Sequence, residues 1–219
     1  MISNALGSAE TVLNVGAGTG SYEPAGRTVT AIEPSAEMIR QRTALAAPVI
    51  QGYAENLPFD DDSFDASMAV LTVHHWTDKE KGLKEMRRVT RGPVVVLTYD
   101  PAFRAFWLLD YFPEFVALDE AQMPGITDYE RWLGPVKISP VPIPHDCTDG
   151  FLSAYWRRPA AYLEPRIRAA MSPFWAVGDV SEALSRLEED LQSGAWAQHH
   201  SRLLDLDACD CGYRLVVTR

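Results

Sequence analysis

The sequence predicts an α/β fold: a doubly wound, mostly parallel sheet of seven strands with a helical insertion after the fifth. Three observations carry this prediction. Strand-type and helix-type runs alternate through the first half of the chain, the pattern of a parallel sheet covered on both faces. The first apolar run, Val12-Leu13-Asn14-Val15, breaks into Gly16-Ala17-Gly18-Thr19-Gly20, a turn that needs positive φ and lets a ligand approach without meeting a Cβ. After Asp100-Pro101 the alternation stops and an aromatic-rich helical stretch begins.

Taken in order, strands are expected at 11–16, 28–32, 48–51, 65–71 and 93–99, with helices near 35–42 and 78–91. Asp78 is placed to cap the second of these helices, and Leu83, Met86 and Val89 form its apolar stripe. Ile2 to Gly7 reads as the last turn of a helix closed by Gly7, so a longer N-terminal cover helix is expected to be missing from this polypeptide. From Gly16 to Glu33 is 17 positions, against about 20 in a dinucleotide fingerprint. Only a shortened helix, opened by Pro24, is expected between the first two strands. Phe103 to Met123 is read as helical, and 101–134 as an insertion that is a candidate lid. Val136 to Ile143 reads as a sixth strand, Ser181 to Ser193 as an amphipathic helix and Tyr213 to Thr218 as the last strand. The whole span 1–219 is expected to be one domain, and 47% hydrophobic content is enough to fill its core.

Composition narrows the function. A net charge of -10 and a pI near 4.9 disfavour nucleic acid as a partner, because neutralising phosphates requires a basic surface. No apolar run is long enough to span a bilayer and the N-terminus lacks a signal-peptide pattern, so a cytoplasmic protein without a membrane partner is expected. Cys147, Cys209 and Cys211 make neither a disulfide framework nor a four-ligand site. His74-His75 and His145-Asp146 lack the spacing of a ligand motif, so no metal is assigned.

The loop pattern is GxGxG rather than GxGxxG, since the sixth position is Ser21, and Glu33 closes the second strand. This resembles motif I and the ribose-binding acid of the class I S-adenosylmethionine (SAM) methyltransferases. Gln51 to Phe59, the run Asp60 to Asp65, and Leu71-Thr72-Val73-His74-His75-Trp76 resemble the adenine-contacting segment, the entry to the fourth strand and its exit in the branch containing the quinone-biosynthesis C-methyltransferases. The resemblance covers roughly residues 11 to 100 in the family order. It implies a Rossmann-like sheet with the last strand antiparallel, and S-adenosyl-L-methionine as cofactor. It also implies a cofactor site made of Asn14, Gly16, Ala17, Gly18, Gly20, Glu33, Pro34, Met38, Tyr53, Ala54, Glu55, Leu71 and Thr72. Three departures stand out: Asn14 replaces the acid before the first glycine, the following helix is short, and Tyr53 stands where many relatives carry aspartate. The Tyr53 ring either stacks on adenine or covers the pocket wall.

Chemistry in an open α/β sheet gathers at the carboxyl ends of the strands. On that rim His75, then His74, are the candidate bases, because imidazole titrates near neutrality; packing or hydrogen bonding is the competing role and outweighs catalysis. Trp76, Tyr99, Trp107, Tyr111, His145 and Asp146 are the candidate acceptor-binding residues. The resemblance thus implies transfer of a methyl group to O, N or C of a small molecule by in-line displacement. A SAM-binding sensor or scaffold without turnover is the alternative, and a nucleic-acid methyltransferase comes last.

Overall fold

The computed structural model describes residues 1–218, which divide into two compact units. The first gathers residues 1–100 and 123–139 with the chain from 214 onward; the second gathers 101–122 and 140–213. The expected insertion is therefore divided, since residues 123–134 belong to the first unit.

The first unit carries the sheet. Its strands are β1 (Thr11–Val15), β2 (Thr28–Glu33), β3 (Val49–Gln51), β4 (Ala66–Val70), β5 (Val94–Tyr99) and β6 (Val136–Pro140). After the short β7 (Ile143–Pro144) and β8 (Ala208–Cys209), the last strand β9 (Tyr213–Thr218) completes it. The order is β3-β2-β1-β4-β5-β9-β6, with one strand of the seven antiparallel, as expected of the last. In β1, β4 and β5 the strand residues are almost all buried, the near-continuous apolar run of strands covered on both faces.

Three helices of this unit follow from local rules. In α1 (Ile2–Ala5) the chain turns back at Gly7, whose φ is 57°. Arg27 secures that corner by donating to the carbonyls of Ser3, Gly7 and Ala9 at 3.0, 2.9 and 2.6 Å. Next, α2 (Ala36–Arg40) is capped by Ser35, whose hydroxyl accepts from Met38 N at 3.2 Å. The third, α3 (Lys79–Arg88), starts at Asp78, whose carboxylate accepts from Lys81 N at 2.9 Å. Leu83, Met86 and Val89 are fully buried against the sheet, each contributing about 1.5–3 kcal/mol by transfer from water.

Two expectations about this half need correction. No helix, not even a shortened one, joins β1 to β2; residues 16–27 are a run of turns. Parallel strands usually need a helical crossover, so the hydrogen bonds that fix this one come from elsewhere. Second, Val136 to Ile143 is not one strand. Pro140 and Pro142 remove ladder donors, β6 ends at Pro140, and Ile143 pairs instead with Cys209 in an antiparallel β7–β8 ribbon.

The second unit is built from short pieces. The expected helical stretch 103–123 is two helices, α4 (Leu108–Tyr111) and α5 (Glu114–Gln122). They part at Phe112-Pro113, where proline lacks the N–H that a continuous helix requires. The next helix, α6 (Ile126–Leu133), lies in the first unit and packs on α3. The second unit resumes with α7 (Pro165–Arg168), α8 (Ser172–Ala176), α9 (Ser181–Ser193), α10 (Ala195–His199) and α11 (Ser201–Leu204). The amphipathic helix expected at 181–193 is α9, closed by Gly194 in the left-handed region at φ 80°. Among the described residues no helix is long and apolar enough to cross a membrane.

Candidate functional site

The strand order reverses between β1 and β4, and ligands of open α/β sheets bind in the crevice beyond the carboxyl ends at such a switch. Here the two strand ends touch. A Cβ added to Gly16 would lie 2.1 Å from Thr72 Oγ1, and Gly16 itself has φ 70°. Glycine is therefore required at 16 for two independent reasons, backbone conformation and contact with the loop after β4.

The glycine loop is held from below by β2. Gly16 N and Ala17 N both donate to Ile32 O, at 2.8 and 3.0 Å. Glu33 is 6% exposed, and its two oxygens accept from Gly18 N at 2.8 Å and Ser35 N at 2.9 Å. A carboxylate offers about four lone-pair positions, so two remain for hydroxyl donors after the backbone has oriented the group. That is the arrangement a vicinal diol, such as a ribose edge, requires. No helix N-terminus follows the loop, so the site lacks the fixed positive end that a dinucleotide pyrophosphate uses.

The remaining cofactor candidates differ in their surroundings. Asn14 is buried in β1 between Ala31 and Met68. Pro34 is half-buried and its carbonyl accepts from Gln51 Nε2 at 3.0 Å, while Met38 on α2 is exposed. Tyr53 is 65% exposed, so its ring is available as a face rather than as core. Ala54 is buried; its Cβ and the Trp76 ring occupy the space over Gly82, where an added Cβ would meet them at 3.1 and 2.6 Å. Gly82 thus lets α3 come down onto Ala54 and Trp76, a role that its position in a helix did not reveal. Glu55 is engaged at the start of α3, accepting from Thr77 N at 2.8 Å and Asp78 N at 3.0 Å. That carboxylate acts locally as a helix anchor.

Beyond β4 the backbone is strained. Leu71 sits at φ 51° with its N–H on Leu97 O at 2.9 Å, a left-handed conformation that costs a non-glycine residue roughly 1 kcal/mol or more. Val73–His75 then forms a single 3₁₀ turn that carries the two histidines side by side, with ring centroids 3.9 Å apart. Burial pushes the His74 imidazole down to about 3, and the neighbouring His75 and Lys79 push the same way. Partial desolvation also lowers His75, although the Glu33 carboxylate pulls in the opposite direction and His75 is exposed at the rim. Both shifts favour the neutral ring, and His75 is the more exposed of the two. Trp76 is a core residue, 7% exposed. Tyr99 is also buried, at the end of β5.

Trp107, Tyr111, His145 and Asp146 belong to the second unit. Trp107 is 4% exposed, its indole N–H donates to Trp156 O at 2.8 Å, and its ring packs against Trp196, Tyr162 and Tyr111 at 5.2, 5.6 and 5.9 Å. Tyr111 donates to Asp190 at 2.5 Å, and burial raises its hydroxyl well above the usual phenol range. His145 is half-buried with its N–H on Asp207 O at 2.9 Å, and Asp146 is exposed. Among the described residues no group of three or more potential ligands could hold a metal ion.

With this geometry in place, the comparisons with known proteins are specific. The family described as a methyltransferase domain matches residues 13–96. A 2-methyl-6-phytyl-1,4-hydroquinone methyltransferase of Oryza sativa is 30% identical over 131 residues, 55% of this chain and 36% of its own. A ubiquinone/menaquinone biosynthesis C-methyltransferase of Geotalea daltonii is 35% identical over 119 residues, 46% of this chain and 51% of its own. The chain thus spans about half or less of the length of these curated relatives. A solved structure, the putative methyltransferase from an antibiotic biosynthesis pathway of Anabaena variabilis, is 35% identical with a TM-score of 0.87 and covers 96% of this chain and 90% of that one. A SAM-dependent methyltransferase of Thermotoga maritima is 27% identical with a TM-score of 0.53 over 65% of this chain and 72% of that one. The fold, the glycine loop beside Glu33 and the full-length match to the Anabaena structure agree: the chain belongs to the SAM-dependent methyltransferases, and SAM is its cofactor.

Proposed function

We propose that this protein transfers the methyl group of SAM to O, N or C of a small-molecule acceptor of quinone or secondary-metabolite type. The observation that carries the reading is Glu33, a nearly buried carboxylate fixed by two backbone N–H groups beside the glycine loop with acceptor positions to spare. The named relatives support an aromatic, electron-rich acceptor, and the acidic composition supports a small molecule over nucleic acid. Three thiols without a disulfide framework fit a reducing, cytoplasmic setting.

In this reading Gly16, Gly18 and Gly20 let the cofactor approach without Cβ obstruction and Ala17 completes the cradle, Glu33 accepts from the ribose hydroxyls, and Pro34, Met38, Tyr53 and Ala54 border the adenine. Asn14, Leu71 and Thr72 border the amino-acid end. The cofactor when bound supplies a methyl already activated by the sulfonium. The chain's remaining task is to align the acceptor in line and keep water out. His75, neutral and exposed at the rim, orients the acceptor and is positioned to accept a proton where the acceptor must lose one, whereas His74 is too weak a base for that role. Within the first unit Tyr99, at the end of β5, is assigned to acceptor binding; within the second, His145 and Asp146 are, whereas Trp107 and Tyr111 are taken up by hydrogen bonds and packing inside that unit and Trp76 by the core of the first.

Calorimetry tests the cofactor half: heat of binding is expected with SAM and with S-adenosylhomocysteine, and none with NAD. Transfer of labelled methyl from SAM into a metabolite extract tests the acceptor half. A labelled small product is the expected result, and label confined to nucleic acid would overturn it.

A further inference from the structure

The run of turns between β1 and β2 raises a physical question: what shapes the cofactor loop. A glycine loop that opens a helix is fixed by the helix ladder that follows it. Here the loop is followed by turn bonds, Gly20 N to Ala17 O at 3.0 Å and Glu23 N to Gly20 O at 3.4 Å, rather than a helix ladder. A buried ion pair occupies the space instead. Arg42, just beyond α2, pairs with Glu23, and their side chains are 4% and 10% exposed. From one end of its fork Arg42 Nη1 donates to Gly18 O at 2.9 Å; from the other, Nη2 donates to Glu23 and to Ala47 O at 3.0 Å. The second Glu23 oxygen accepts from Ala47 N at 2.6 Å.

One of these bonds and the Glu33 contact meet at one residue. Gly18 is held at its carbonyl by Arg42 and at its N–H by Glu33. Gly20 lies directly over the pair: a Cβ there would stand 3.3 Å from Arg42 Nη1, 3.3 Å from Glu23 Oε2 and 3.1 Å from the Ala46 Cβ. A buried ion pair contributes little net stability, because desolvation offsets the attraction, so stability alone does not account for it. Its geometry does something specific. A guanidinium spreads its donors over separated nitrogens in a fixed plane and so reaches Gly18 and Glu23 from its two ends, whereas an ammonium gathers its three donors on one atom.

We propose that the Glu23–Arg42 pair is a cofactor-positioning device that takes the place of the missing helix, setting the Gly18 peptide and, through it, the Glu33 carboxylate. The inference rests on the assignment of Glu33 to the ribose. Two variants separate positioning from folding. Arg42→Lys keeps a charge beside Glu23 and loses the fork, while the double change Glu23→Met with Arg42→Met removes both charges and retains volume. Calorimetry with SAM, accompanied by circular dichroism and thermal unfolding, is the measurement. Both variants are expected to keep the wild-type spectrum, and each to bind SAM at least tenfold more weakly at a temperature well below its unfolding midpoint. A purely structural pair would move the midpoint and leave that affinity alone. A folded variant whose affinity stays within twofold of wild type overturns the proposal while leaving the cofactor assignment intact. Loss of fold in both variants assigns the pair to stability and overturns it too. Wild-type protein that binds no SAM removes the Glu33 assignment, and the proposal with it.

Discussion

The two compact units of this chain differ in where their polar groups point. In the first, a carboxylate lies at the carboxyl ends of the strands, where the backbone N–H groups of Gly18 and Ser35 orient Glu33 and leave part of it unsatisfied. In the second, the polar tips of three large aromatics are turned inward and satisfied within the unit, Trp107 on Trp156, Trp156 on Ile143, and Tyr111 on Asp190, while the Trp196 indole N–H is buried without a hydrogen-bond partner among the described residues. The first unit is thus built to receive a ligand from short-range rules, and the second to hold a shape by long-range aromatic packing. Substitutions in the second unit should act on stability first, whereas substitutions at the glycine loop should act on cofactor affinity first.

The largest effect is expected at Trp107, which is surrounded by Trp196, Tyr162 and Tyr111. Trp107→Ala should destabilise the protein by about 3–5 kcal/mol, the cost of an unfilled aromatic site, measured by urea unfolding followed by circular dichroism. Any variant protein still folded at low temperature should bind SAM within twofold of wild type; a larger loss would break the contrast. Gly16→Ala should do the reverse. With φ at 70° and Thr72 Oγ1 2.1 Å from the new Cβ, the loop must shift, and SAM affinity is expected to fall at least a hundredfold, about 2.7 kcal/mol.

The same contrast explains which parts were legible in the sequence. The first five strands, the Asp78 cap and the glycine loop are set by residues close to one another in the chain, and those readings agree with the structure to within a residue or two. The β1–β2 crossover was not legible, because no spacing rule links Glu23 to Arg42; without that pair Pro24 suggested a short helix where there is none. In the second unit α9 was readable from its own period, and the break at Pro113 is a local proline signal that the helical reading of 103–123 passed over; the pairing of Ile143 with Cys209 depends on a partner far along the chain. The identities of the candidate site residues were equally local. Their surroundings were not: the engagement of Glu55 with α3 and the burial of Trp76 over Gly82 emerge only from the fold.

A smaller effect, readable through pH, is expected at His74. Its imidazole is held at about 3 in the folded protein, chiefly by burial, against an ordinary value near 6.5. Between those values the unfolded chain binds a proton that the folded protein refuses, so stability falls as pH drops below about 6.5. The slope from this group is about 1 kcal/mol per pH unit between pH 6 and 4. His74→Gln should flatten it, and an unchanged slope in urea unfolding across that range would remove His74 as the source. Glu33→Ala comes next, with at least a tenfold loss of SAM affinity, about 1.4 kcal/mol. Unchanged affinity would take Glu33 out of the site.

The smallest effect is expected at His75, and it tests whether the exposed rim of the first unit does more than orient. A methyl on a sulfonium is already activated, so alignment supplies most of the rate and a base matters only when proton loss accompanies transfer. The ring of His75 is exposed, so replacing it leaves no cavity, and its neutral state at pH 7 lets it act through one hydrogen bond. With an acceptor identified, His75→Gln should therefore leave the maximal rate within a few-fold and SAM affinity unchanged, since glutamine retains a polar contact. A proton-accepting role leaves a different signature. The wild-type rate would decline on the acidic side as imidazolium forms, the variant would lose that limb, and its rate would drop about a hundredfold. Because burial lowers the His75 pKa, that limb would begin below the pH at which an unperturbed histidine titrates, which distinguishes it from a fully solvated imidazole elsewhere on the surface.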